Sequence, residues 1–97
     1  MKEIGLKPQL ISEIRALARK HRLNRVILFG SRARGDFRNT SDIDLATGGG
    51  DGARFALDVD ECTSTLLKYD IVDLDGAVQQ ELRDAIVREG IVLYEKV

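Results

Sequence analysis

Gly30-Ser31 and Asp42-Ile43-Asp44 stand ten residues apart, and the stretch Arg32-Ala33-Arg34-Gly35 between them adds two cations and a further glycine. Positions i and i+2 of an extended chain share a face, with side-chain bases about 6–7 Å apart, so both acids can reach one hard cation. Two carboxylates that close resist joint ionisation unless a cation is present. Mg²⁺ prefers six oxygens and commonly keeps water or phosphate among them, so the pair suits a metal whose shell a triphosphate completes, bound weakly without nucleotide. Gly30 permits close approach of the backbone, and Ser31 offers a hydroxyl and an N–H where a tight turn or short helix begins, groups that suit β- and γ-phosphates. Arg32 and Arg34 both carry the planar guanidinium fork, but two residues apart on a helical turn they cannot both point inward. Arg32 is the expected phosphate contact, and Arg34 is left structural or partner-facing. Together these groups match the demands of nucleotidyl transfer from a triphosphate. Neither a Walker Gly-x-x-x-x-Gly-Lys nor a Gly-x-Gly-x-x-Gly turn occurs in the chain.

A second metal needs a further carboxylate from a neighbouring strand, and Asp70, Asp73 and Asp75 are the candidates. Strand parity leaves the choice open. Placing Val72 and Leu74 in the core draws Asp70 to the acid face, whereas placing Tyr69 and Ile71 there draws Asp73 and Asp75. The reading requires the acids to converge beside the serine turn with room for a cation. An isolated Asp-x-Asp is more often a solvated strand face, so the weight rests on the combination.

The surrounding periodicity says what positions these groups. Pro8 suits a first helical turn, and Leu10, Ile14, Leu17 and Ala18 recur on one face, predicting a helix over 8–22 with His21 as a capping residue near its end. Arg25-Val26-Ile27-Leu28-Phe29 reads as a strand buried on both faces that ends at the motif. Asp42 to Thr47 alternates, with Ile43 and Leu45 pointing one way and the acids the other. Gly48-Gly49-Gly50-Asp51-Gly52 predicts a mobile loop at the edge of the site. Phe55, Val59, Cys62 and Leu66 step as a second amphipathic helix, with Cys62 expected as a small core residue. Tyr69–Leu74 predicts a strand. Val78, Leu82, Ala85 and Ile86 mark a helix stopped by Gly90, and Ile91–Tyr94 a last strand. The expected fold class is α/β, a layered single domain over 1–97 without internal repeats or a linker.

At 97 residues, with two tyrosines, three phenylalanines and 43% hydrophobic composition, the core is adequate but not generous, and a protein partner is expected to help. A net charge of −1 argues against nucleic-acid coating as the main task. The charge is segregated, however. Residues 1–40 carry ten Lys or Arg against three acids, and 41–97 carry five against thirteen. The lone Cys62 admits no internal disulfide, and the absence of a long apolar run and of a leader-like start predicts a cytoplasmic, membrane-free protein.

Gly30, Ser31, Asp42 and Asp44 inside GSRARGDFRNTSDIDLA resemble the signature of the polymerase-beta-type nucleotidyltransferases, and the minimal branch of that superfamily is similar over nearly the whole chain, the closing IVREGIVLYE included. The resemblance implies a polymerase-beta-like fold, a small mixed sheet flanked by helices, with ATP as substrate and two Mg²⁺ ions. It places the third carboxylate at the start of Tyr69-Asp70-Ile71-Val72-Asp73, selecting Asp70, with Asp73 second. Asp42, Asp44 and Asp70 are then the expected catalytic and metal-holding residues, and Gly30, Ser31 and Arg32 the nucleotide-binding ones. It further implies an antitoxin that transfers AMP to a tyrosine of a helical HEPN toxin, in a hetero-oligomer. A non-catalytic binding antitoxin is the rival reading, and a small molecule such as an aminoglycoside, or an RNA end, the rival acceptor. One departure is the glycine run after Asp44, where such proteins continue with β-branched residues. The departure leaves the length of that strand open, not the motif.

Overall fold

The computed structural model describes residues 4–97. Its elements follow one another as α1 (Pro8–Lys20), β1 (Arg25–Phe29), α2 (Gly30–Arg34), β2 (Ile43–Gly48), α3 (Gly52–Cys62), β3 (Tyr69–Asp73), α4 (Gln80–Glu89) and β4 (Ile91–Glu95). The four strands form one sheet in the order β3-β2-β1-β4. β1 runs antiparallel to β2 and β4, while β2 and β3 are parallel and joined by the crossover helix α3. This is the small mixed sheet that the family resemblance implies, in the layered α/β arrangement read from the element order.

Amphipathic periodicity decides where the helices sit. Leu10, Ile14 and Ala18 of α1 and Phe55 and Val59 of α3 are buried together with Val26, Leu28, Ile43, Leu45 and Leu93 of the strands, so both helices close one face of the sheet. On the other face α4 buries Ile86 and lies against β1. That cover is partial. Ile27 and Phe29 remain half-buried, so β1 is fully buried on one face only, a correction to the expected two-sided burial.

The connections explain where the predicted boundaries shift. α1 stops at Lys20 because the Arg22 N–H donates to the Arg19 carbonyl (3.1 Å) and the Leu23 N–H to the Ala18 carbonyl (2.9 Å), a Schellman closure. Arg22 takes the left-handed conformation (φ 61°) there, and Leu23 is fully buried. The glycine run is not a mobile loop beside the acids. β2 continues through Gly48, which pairs with Arg25 at the end of the strand away from Asp44. Gly50, at φ 61°, packs against the backbone of His21 and Arg22, where any Cβ would collide. The Asp51 N–H donates to the His21 carbonyl (3.0 Å), and the Asp51 carboxylate caps α3 by accepting from the Arg54 N–H (3.1 Å). The glycines thus make a fixed turn.

Cys62 also departs from expectation, because α3 ends there and the side chain is exposed. The next residue, Thr63, continues the inward stripe instead, its hydroxyl donating to the Val59 carbonyl (2.6 Å) and sharing a hydrogen bond with the Tyr69 hydroxyl (2.8 Å). Leu66 lies beyond the helix in the connection to β3 and is fully exposed. Among the described residues no helix is long and apolar enough to cross a membrane.

Candidate active site

Strand register assembles the acids. Asp44 of β2 pairs with Phe29, the last residue of β1, on one side and with Asp70 of β3 on the other. Parallel neighbours in register project from the same face, and adjacent strands are about 4.8 Å apart, so Asp44 and Asp70 stand side by side. Asp42 precedes β2 by one residue and is exposed. Chain reversal after Phe29 then brings Gly30 directly over Asp44.

That contact is close. Gly30 is left-handed (φ 76°), and a Cβ added to it would run into the Asp44 carboxylate. Only glycine meets both demands without strain. Burial, then the charges of Asp70 and Asp42, push the Asp44 carboxyl above its ordinary pKa, while Arg34 and Arg32 pull the other way. A carboxylate partly withdrawn from water beside two like charges is short of positive charge, and a hard divalent cation is the natural complement. The donor set, three carboxylates without sulfur or imidazole, fits Mg²⁺ better than zinc. Among the described residues, however, no three His, Cys, Asp or Glu side chains are drawn into a ready-made metal cage. The expected convergence of three aspartyl oxygens is therefore one of strand positions and mutual fields, not of gathered oxygens. Repulsion among the acids is a sufficient cause.

Arg32 corrects the expectation most clearly. Its side chain is 1% exposed, and it donates from Nε and Nη2 to the Ser41 carbonyl (3.2 and 3.0 Å), from Nη1 to those of Ile4 (3.1 Å) and Gly5 (3.3 Å), and from Nη2 to that of Asn39 (3.3 Å). Its guanidinium carbon stands 4.8 Å from the centre of the Phe37 ring. Burial lowers its pKa, opposed by Asp44. With its donors spent on carbonyls, Arg32 is not placed to grip phosphate. It fixes the segment that ends at Asp42. Arg34 is the accessible cation, with Nη1 3.3 Å from Glu89 and Nε 3.3 Å from Asp36, and its field reaches Asp44. Nothing local in the sequence distinguishes the two arginines, since the segments that cover Arg32 come from residues 4–5 and 37–41.

The other candidate acids lie elsewhere. Asp73 pairs with Thr47, three positions from Asp70 and so on the opposite face, and its carboxylate accepts the Asp75 N–H (2.9 Å). Asp75 accepts the Gly49 N–H (2.7 Å), tying the glycine turn to β3. Of the three, the structure sets only Asp70 beside Asp44. His21 caps α1, and its Nε2 lies 2.7 Å from Asp58 on α3, which makes it a brace between helices.

The family profile described as polymerase beta, nucleotidyltransferase, matches residues 12–97. A Methanocaldococcus jannaschii protein provisionally named a protein adenylyltransferase is 37% identical over 93 residues, spanning 84% of this chain and 90% of its own length. A crystal structure of a toxin-antitoxin with AMP-PNP contains a chain similar to this one with a TM-score of 0.72 and 26% identity, over 89% of this chain and 73% of that one. A solved structure provisionally named a minimal nucleotidyltransferase has a TM-score of 0.65 and 32% identity, over 84% of this chain and 86% of its own.

Proposed function

The chain belongs to the polymerase beta nucleotidyltransferase family, and we propose that it transfers AMP from ATP to a tyrosine hydroxyl of a helical HEPN toxin, acting as that toxin's antitoxin. The observation that carries this reading is the position of Asp44, which lies under Gly30 and beside Asp70 with a carboxyl pushed toward protonation. The similarity to a protein named for protein adenylylation, and to a toxin-antitoxin pair crystallised with an ATP analogue, supports a protein acceptor over a small molecule or an RNA end.

Asp42, Asp44 and Asp70 would hold Mg²⁺. The bound ion supplies charge neutralisation at the phosphates and a lower pKa for the acceptor hydroxyl. The chain's own groups do the rest. Gly30 lets phosphate oxygens approach the backbone next to Asp44, and Ser31 offers its hydroxyl to the leaving end. Arg34, the exposed cation whose field reaches Asp44, takes the phosphate-facing role expected of Arg32. The acceptor oxygen forms its bond to the α-phosphorus as the bond to the bridging oxygen breaks, pyrophosphate leaves, and the hydroxyl proton passes to solvent past Asp70.

A non-catalytic binding antitoxin is the second reading. One assay separates the two. With α-labelled ATP, Mg²⁺ and a HEPN protein from the same genome, the wild-type chain labels the partner, and Asp44→Ala abolishes labelling while the two proteins still form a complex. Neutralisation of the toxin that survives Asp44→Ala supports the binding module.

A further inference from the structure

The sheet order β3-β2-β1 gives the acids two unlike neighbours. On the β1 side stand Gly30 and Ser31; on the β3 side stands the connection that delivers the chain from α3 to Tyr69. Nucleotide phosphates on the first side leave the second for the acceptor. A hollow of about 520 Å³ lies there, and Asp42 shares its wall with Thr40, Leu66, Leu67 and Lys68. A second hollow of about 520 Å³ adjoins it through Leu66 and Leu67 and runs toward Lys7 and Gln9 at the start of α1.

The connection is held, not loose. Glu13 of α1 accepts from the Ser64 N–H (2.9 Å) and hydroxyl (2.8 Å), the Thr65 hydroxyl accepts from the Leu67 N–H (3.1 Å), and the Lys68 carbonyl accepts from the Ile43 N–H (2.8 Å). Leu67 packs against the core. Leu66, between these anchors, is 104% exposed. A single exposed leucine is ordinary on a protein surface. One fixed between anchored neighbours, on the wall of the hollow that contains a candidate catalytic acid, has a position a partner can use.

We propose that the acceptor protein docks on the Ser64–Lys68 connection, seating Leu66 in an apolar socket beside its acceptor hydroxyl and meeting Lys68 with an acidic group. The proposal rests on the transfer reading and adds to it the surface that selects a protein over a free hydroxyl. The occupant is the acceptor because Asp42 stands on the wall of the hollow, so a partner that presents its hydroxyl to Asp42 from the β3 side covers Leu66 and Lys68. The charge pattern agrees, since a cation at Lys68 beside Asp42 favours an acceptor surface that pairs an acid with an uncharged hydroxyl.

The test compares two acceptors for the full-length chain with α-labelled ATP and Mg²⁺: a HEPN protein from the same genome, and N-acetyl-tyrosinamide at high concentration. Leu66→Asp, at a site with no packing to lose, raises KM for the protein acceptor more than tenfold and leaves labelling of N-acetyl-tyrosinamide within twofold. Lys68→Glu raises the protein KM in the same direction. Unchanged labelling of both acceptors overturns the docking surface and leaves the transfer reading standing; so does an equal loss on both, which assigns the connection to the site itself. A Leu66→Asp chain that sediments as a smaller species than wild type gives this face to a second copy and likewise overturns the proposal. Failure of the wild-type chain to label either acceptor rejects the transfer reading, and the docking surface with it.

Discussion

Replacing Arg32 with methionine keeps the stem and removes the guanidinium, and its consequences separate a clamp from a phosphate ligand. Five hydrogen bonds to four carbonyls connect Arg32 to Ile4, Gly5, Asn39 and Ser41. Hydrogen bonds from a charged donor contribute about 1.5–3 kcal/mol each in isolation, but the carbonyls can recover water once the segment opens, so the contributions do not add. A loss of about 1–3 kcal/mol is expected, the range for leaving buried carbonyls without their donor when no uncompensated charge remains. Against a total of about 5–15 kcal/mol for a domain, that removes a large share of the stability. Urea unfolding reads it as a fall in midpoint, and thermal unfolding as a drop on the order of 10 °C. ATP affinity, measured by calorimetry below the unfolding transition, changes less than the stability does, because Arg32 does not face the phosphates. An unchanged urea midpoint together with at least a tenfold loss of ATP affinity would refute the clamp and restore Arg32 as a phosphate contact.

Other outcomes follow from the same geometry. Gly30→Ala forces a left-handed alanine and a clash with Asp44, so it costs about 1–2 kcal/mol in urea unfolding and slows AMP transfer about a hundredfold or more through misplacement of the carboxylate. The raised pKa of Asp44 means that its ionisation opposes folding, with stability falling as pH rises from about 4 through the folded value. Asp44→Asn therefore melts higher than wild type at pH 7 without divalent cation. The gap closes toward pH 4, and Mg²⁺ with a non-hydrolysable ATP analogue stabilises the wild type but not the variant. The hydrogen bond from His21 holds the Asp58 carboxyl below its ordinary pKa, so its contribution is present above about pH 4 and lost as pH falls further. Asp58→Asn accordingly lowers the melting temperature at pH 6 but not at pH 3.

What the sequence could and could not disclose divides along physical lines. Local periodicity sufficed for the strands and helices, because the apolar run Arg25–Phe29 and the alternation after Asp42 depend on each segment's own burial. It sufficed to bring Asp42 within reach of Asp44 by its charge, although β2 itself begins only at Ile43. The identity of the third acid was not a local matter. Asp70 and Asp73 differ only in register against β2, which the parallel pairing of Asp44 with Asp70 sets. The burial of Arg32 is not legible locally, because it depends on segments 4–5 and 37–41 folding over it. Cys62 and Leu66 continued a helical stripe on paper, but α3 ends at Cys62, where Thr63 turns to meet Tyr69. The glycine run looked mobile because its partners, the His21 carbonyl and the Asp75 carboxylate, are remote in sequence.

Side-by-side AMP-transfer rates for Asp70→Asn and Asp73→Asn test the central claim most directly, since the two substitutions are chemically identical and differ only in which face of β3 loses a charge. Asp70→Asn should abolish transfer, with Asp73→Asn retaining at least half the wild-type rate. Equal rates for the two variants, or a loss confined to Asp73→Asn, would contradict a catalytic centre built from Asp42, Asp44 and Asp70.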